Sequence, residues 1–157
     1  MTLDYSHHDW RDEQMALLGH TLLQVNCPHA KTLDLSWNDI TANGISELGP
    51  AFKLGALHSV TTLDLSKCTL LKALPEDVGH LPELETINLE GCTGLSSIST
   101  AVANLVCLRT LNVKNCHLLE PATLAKKLGL ADVVEVIGTT QSYHRRKSQE
   151  TPSATPR

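Results

Sequence analysis

Apolar and polar positions alternate in short bursts along this chain, and the bursts recur in register. Thr62-Leu63-Asp64-Leu65-Ser66 sets Leu63 and Leu65 two apart with polar neighbours, the pattern of a half-buried strand. The same unit stands 30 residues upstream as Thr32-Leu33-Asp34-Leu35-Ser36, and 30 further upstream as Thr2-Leu3-Asp4-Tyr5-Ser6. Downstream, Thr86-Ile87-Asn88-Leu89 and Thr110-Leu111-Asn112-Val113 follow at spacings of 24, and a weaker Val133-Val134-Glu135-Val136 at 23. Six strands are therefore predicted, near Thr2–Tyr5, Thr32–Leu35, Thr62–Leu65, Thr86–Leu89, Thr110–Val113 and Val133–Val136. Leu33, Leu35, Leu63, Leu65, Ile87, Leu89, Leu111 and Val113 are the predicted core.

The intervening segments change with the repeat length. Asp12–Gln24 carries Met15, Leu18 and Leu22 at helical spacing, behind an acidic first turn of Asp12 and Glu13. Gly44–Leu57 does the same through Ile45, Leu48 and Phe52, with Pro50 either in the first turn or kinking the helix. The shorter linkers Leu71–Pro82 and Leu95–Val106 have room for about one or two helical turns. Pro121–Leu130 reads as a short helix with Leu124 and Leu128 on one face.

Val60, Leu63, Leu65, Cys68 and Leu70 together match L-x-x-L-x-L-x-x-N/C-x-L. On that motif and its recurrence the chain resembles the leucine-rich-repeat superfamily, from Met1 to about Gly138. Leu33–Ile45 resembles ribonuclease-inhibitor-type repeats. Leu74–Cys92 is similar to repeats of plant disease-resistance receptors and related intracellular proteins. The resemblance implies a right-handed α/β solenoid with about six parallel strands on its concave face and helices or short helical turns on its convex face. It implies a protein-binding scaffold and carries over no catalytic residue. The physics agrees, because one strand-turn-helix unit cannot bury its apolar face alone and must stack on its neighbours.

Composition sets the outer bounds. A chain of 157 residues suits one domain, here residues 1–138, followed by the segment 139–157. That segment is polar, basic and rich in Ser, Thr and Pro, so a flexible tail is expected. It holds Arg145, Arg146, Lys147 and Arg157 against Glu150, a net +3, which leaves −7 on the rest given −4 overall. An acidic body is a poor nucleic-acid surface and suits a basic partner protein better. No run approaches the roughly 20 apolar residues of a membrane span, and the N-terminus has no signal-peptide pattern. Five cysteines, three of them at one repeat position, point to reduced thiols in an intracellular compartment, with the cytoplasm expected.

Candidate sites follow from the register. Cys68, Cys92 and Cys116 share the inward-turning position after the strand, with Asn38 in the same place and His8 imperfectly so. They read as a structural ladder bonded to turn backbone. The competing zinc reading lacks C-x₂-C pairing, so no metal is expected. On the concave face one column runs Asp4, Asp34, Asp64, Asn88, Asn112 and Glu135, and the next Ser6, Ser36, Ser66, Glu90 and Lys114. Stacked aspartates repel, which favours a basic partner or a cation, while the plain reading makes them solvent-facing consensus residues. Trp37, beside Lys67, is either an exposed interface anchor or buried in its turn. The candidate partner-binding residues are Asp34, Trp37, Asp64, Lys67, Asn88, Glu90, Asn112 and Lys114. The histidines scatter, and no G-x-S-x-G, phosphate loop or metal spacing occurs, so neither catalysis nor a cofactor is expected.

Two function classes remain. One is a binding module whose partner protein docks in the concavity. The other is a small structural subunit of a large assembly, held by its edges and tail. The chain starts within a strand, at Thr2-Leu3, so its first coil is expected to be covered by a partner chain, a second copy or the tail.

Overall fold

The computed structural model describes residues 1–130 and 135–138. Strands β1 (Thr2–Asp4), β2 (Thr32–Asp34), β3 (Thr62–Asp64), β5 (Thr86–Asn88), β7 (Thr110–Asn112) and β8 (Glu135–Ile137) form one parallel sheet in that spatial order. The register stacks like on like. Thr2, Thr32, Thr62, Thr86 and Thr110 pair in sequence, as do Leu3, Leu33, Leu63, Ile87 and Leu111. A parallel pair needs a crossover, and here the rest of each coil supplies it. Leu33, Leu35, Leu63, Leu65, Ile87, Leu89, Leu111 and Val113 are fully buried.

The last strand differs from expectation by two residues. Glu135, not Val133, stands opposite Thr110, and Ile137 rather than Glu135 stands opposite Asn112. A shift of two keeps every side chain on its face, so alternation alone does not separate the two registers. Val136 fills the buried place beside Leu111. Val133 and Val134 lie outside the described residues, as does the segment 139–157 expected to be a tail.

The convex side divides by coil length. In the two 30-residue coils it is helical. Helix α1 (Asp12–Val25) buries Met15, Leu18 and Leu22. The second helical segment breaks at Leu48 into α2 (Ala42–Glu47) and α3 (Gly49–Lys53), and Pro50 sits in the first turn of α3, where its missing N–H costs nothing. Gly19 lets α1 lie directly on this break, since a Cβ there would come within 2.5 Å of the Glu47 carbonyl oxygen. Asp12 ties the helix starts together by accepting from the Thr41 N–H (2.9 Å) and hydroxyl (2.6 Å).

The next two coils replace α-helix with 3₁₀ turns, Glu76–His80 and Thr100–Asn104. Ahead of them two short strands, β4 (Ala73–Leu74) and β6 (Ser97–Ile98), pair in parallel as a second sheet that the sequence did not suggest. Pro75 and Ser99 follow them in extended conformation, and a proline holds its predecessor extended. Helix α4 (Pro121–Lys127) closes the fifth coil, with Leu124 and Leu128 buried. On the outer side of coil one, Tyr5 stacks on Trp10 at 5.1 Å and both are half-buried, while Leu17 and Val25 of α1 are exposed.

Candidate functional site

The concave face is built from the last strand residue and the second and third residues after it, the first being buried in the core. Asp4, Asp34, Asp64, Asn88 and Asn112 each accept the backbone N–H of the residue two positions on, at 2.8–3.2 Å. Their first task is therefore local, an Asx turn that ends each strand. Ser6 adds its hydroxyl to the Asp4 carboxylate at 2.7 Å. Its N–H, then its hydroxyl, hold that carboxyl below the ordinary carboxylate range.

The column's second oxygen or amide separates the coils. Asn112 donates to Asn88 (3.0 Å), and Asn88 donates to the Asp64 carboxylate (2.9 Å). Asp64 and Asp34 have nothing to donate onward, so the chain of bonds stops at the third coil. Glu90 lies 4.0 Å from Lys114, and Glu85 3.9 Å from Arg109. Among the described residues Asp4, Asp34 and Asp64 have no cationic partner. The acidic end of the concavity is thus coils one to three. Among the described residues no group of three or more His, Cys, Asp or Glu could hold a metal ion, and the Asn column gives the stacked carboxylates a neutral neighbour instead.

Ser36, read as solvent-facing from the sequence, is buried. Its N–H goes to Asp34 and its carbonyl accepts from the His7 N–H and the Asn38 amide. Ser66, Glu90 and Lys114 likewise accept the N–H of Trp37, Lys67 and Gly91 at 2.8–2.9 Å, which extends the ladder past the strands.

The next position is one that sequence reasoning missed as a column. His7, Trp37, Lys67, Gly91 and Asn115 all have left-handed backbone, with φ between 56° and 73°. Bulky side chains rarely adopt it. His7 stacks on Trp37 at 5.1 Å and 19°, and the Lys67 Nζ lies 5.8 Å from the Trp37 ring centre. Lys67 in turn lies across Gly91, where a Cβ would meet its Cδ at 2.6 Å. The result is a lip along one side of the concavity with Trp37 at its centre, 51% exposed. Gly and Asn at two of the five equivalent positions were the available signal, since these residues favour positive φ.

Behind the lip sits a buried row. Asn38 accepts from the His8 and Trp10 N–H groups (3.2 and 2.9 Å) and donates to the Tyr5 and Leu35 carbonyls (2.8 and 2.9 Å). Cys68, Cys92 and Cys116 donate their thiols to the Leu35, Leu65 and Leu89 carbonyls at 3.0–3.3 Å. Burial pushes the Cys68 and Cys116 thiols up to about 11, and the Cys92 thiol further in the same direction. His8 instead turns its ring to the Ser6 carbonyl at the surface.

Two family models described as leucine-rich repeat match the chain, one over residues 26–49 and one over residues 59–81. No curated protein matches it.

Proposed function

We propose that this chain, which is a leucine-rich-repeat protein, is a non-catalytic binding module whose partner protein docks on the concave face of coils one to three. Leucine-rich-repeat domains generally mediate protein–protein interaction. The observation that carries the reading is Trp37, half-exposed, held in left-handed backbone between His7 and Lys67, in the coils whose Asp34 and Asp64 carboxylates have no cationic partner among the described residues. A bulky side chain kept in a costly conformation at the surface suits an interface anchor. These carboxylates, on a body of net charge −7, favour a basic partner over nucleic acid. Asn88, Glu90, Asn112 and Lys114 continue the surface at its neutral end.

A photo-crosslinking residue at position 37 tests this in the protein's source cells. Adducts should form there, be absent with the crosslinker at exposed Leu54 on the helical side, and vanish when Asp34→Lys and Asp64→Lys are combined. Adducts at Leu54 alone would reject the concave face.

The structural-subunit reading is supported by Leu17 and Val25, exposed together on α1. Native size exclusion separates the two: a large, salt-resistant complex lost in Leu17→Glu but kept in Trp37→Ala favours the subunit.

A further inference from the structure

The second sheet ends in a free edge. Coil three contributes β4 and coil four contributes β6, paired Ala73 to Ser97 and Leu74 to Ile98. The equivalent residues of coil five, 24 further on, are Pro121 and Ala122, and these start α4 instead. Proline has no N–H to give a ladder and suits a first helical turn. The chain therefore veers away where a third strand would lie.

A groove of about 240 Å³ opens there, between Ser96–Ile98 on one wall and Leu118–Lys127 on the other. Its volume is below the roughly 300–1,000 Å³ of small-molecule sites. Its shape and chemistry suit an extended chain. The β4 side of β6 is used: the Ser99 N–H, just past the strand, donates to the Leu74 carbonyl, while the Ser96 N–H, ahead of the strand, donates to the Lys72 carbonyl. Backbone groups alternate in direction along a strand, so with the Ser99 N–H turned to β4 the Ile98 N–H and carbonyl, one residue earlier, point into the groove. Leu118, 62% exposed, and Leu124 form an apolar wall, with Ser97 and Thr123 at the rim.

We propose that this groove takes an acidic, extended segment of a partner protein, which adds as a third parallel strand along β6. The main chain of the segment pairs with Ile98, and an apolar side chain lies against Leu118 and Leu124. The charge of the rim selects the sign. Lys127 lines the groove and Lys126 precedes it on the same turn, against Glu120 alone. Neither lysine has an acidic partner among the described residues. On an otherwise acidic protein this is a local basic patch. The chain's own segment 139–157, at net +3, carries the wrong sign for it. The proposal is independent of the concave-face reading, because the groove lies outside that face.

The test uses full-length protein with two synthetic peptides, acetyl-TVEVDVT-amide and its lysine counterpart acetyl-TVKVKVT-amide. The acidic peptide should bind, slow exchange of the Ile98 amide about tenfold, and weaken with salt. The lysine peptide should do neither. Lys127→Glu should weaken the acidic peptide about fivefold, and Thr123→Trp, which fills the groove from an exposed site, about tenfold or more. Equal binding of both peptides, or none by the acidic one at millimolar concentration, overturns the proposal. So does an Ile98 amide already protected in the dilute free protein, which would place the chain's own segment in the groove. Protection that grows with protein concentration would place a second copy there and overturn it as well.

Discussion

Coils one and two differ from coils three and four in more than length. The longer pair turns on α-helices and uses Asn38 to hold its turns. The shorter pair turns on 3₁₀ segments joined by β4 and β6, and uses Cys68 and Cys92. Six additional residues per coil supply the helix, and a helix about 10 Å wide against strands about 4.8 Å apart forces the sheet to curve. The longer first turn also leaves two N–H groups, of His8 and Trp10, that only a side chain with acceptor and donors can reach. A thiol with one weak donor is enough where a single carbonyl needs a partner. The concave column divides similarly, because asparagines donate sideways and aspartates do not. Carboxylates without a cationic partner and the Trp37 lip consequently fall at one end of the protein, and the ion-paired surface at the other.

Breaking the helical half should cost most. Phe52 is a fully buried aromatic between α3 and the sheet, and Phe52→Ala should lose about 3–5 kcal/mol in urea unfolding. A loss below about 1 kcal/mol would mean the convex helices do not close the core.

The buried row sharpens the contrast. Asn38→Ala strands four backbone groups, one of them buried and three partly so, and should cost on the order of 3 kcal/mol, whereas Cys92→Ala removes one weak bond and should cost about 1 kcal/mol. Equal losses would remove the distinction between the two kinds of coil.

Alkaline pH should act on the shorter coils first. The Cys68 and Cys116 thiols titrate at about 11 in the fold against 9 for an exposed thiol, because burial disfavours the thiolate. A raised value means their contribution is complete below about pH 9 and is lost as pH rises through about 11. Amide exchange at pH 10 should therefore accelerate in Leu63–Val113 before Met15–Leu48. In the native state at pH 8 a thiol reagent should modify exposed Cys107 quickly and leave Cys68, Cys92 and Cys116 until unfolding.

The smallest effect should come at the lip. Trp37→Gly relieves left-handed backbone while losing the His7 and Lys67 contacts, so stability should change by less than about 1 kcal/mol. Gly91→Ala, at an equivalent φ but with Lys67 in the way, should lose about 1–2 kcal/mol. A large loss in Trp37→Gly would make Trp37 a stability residue and weaken the binding reading.

The sequence by itself determined the solenoid, the order of its strands and which residues of the first five strands share a column. These follow from period alone: when Thr32, Thr62 and Thr86 recur with the same apolar partners, parallel stacking is the arrangement that buries the strand leucines Leu33, Leu35, Leu63 and Leu65 at once. The register of β8 was ambiguous by two, because alternation repeats every two residues and Val136 fits where another valine would. Tertiary structure decided the rest. Whether an aspartate faces a cation or an asparagine amide depends on the neighbouring coil. The left-handed lip arises because Trp37 and Lys67 inherit a backbone position that suits Gly91 and Asn115. The second sheet exists because β4 and β6 meet only after the coils stack, and its open edge because Pro121 sends the next coil elsewhere. The period names the neighbours across coils, 24 to 30 positions apart, but the contacts those neighbours make depend on side-chain and turn geometry that the period does not carry.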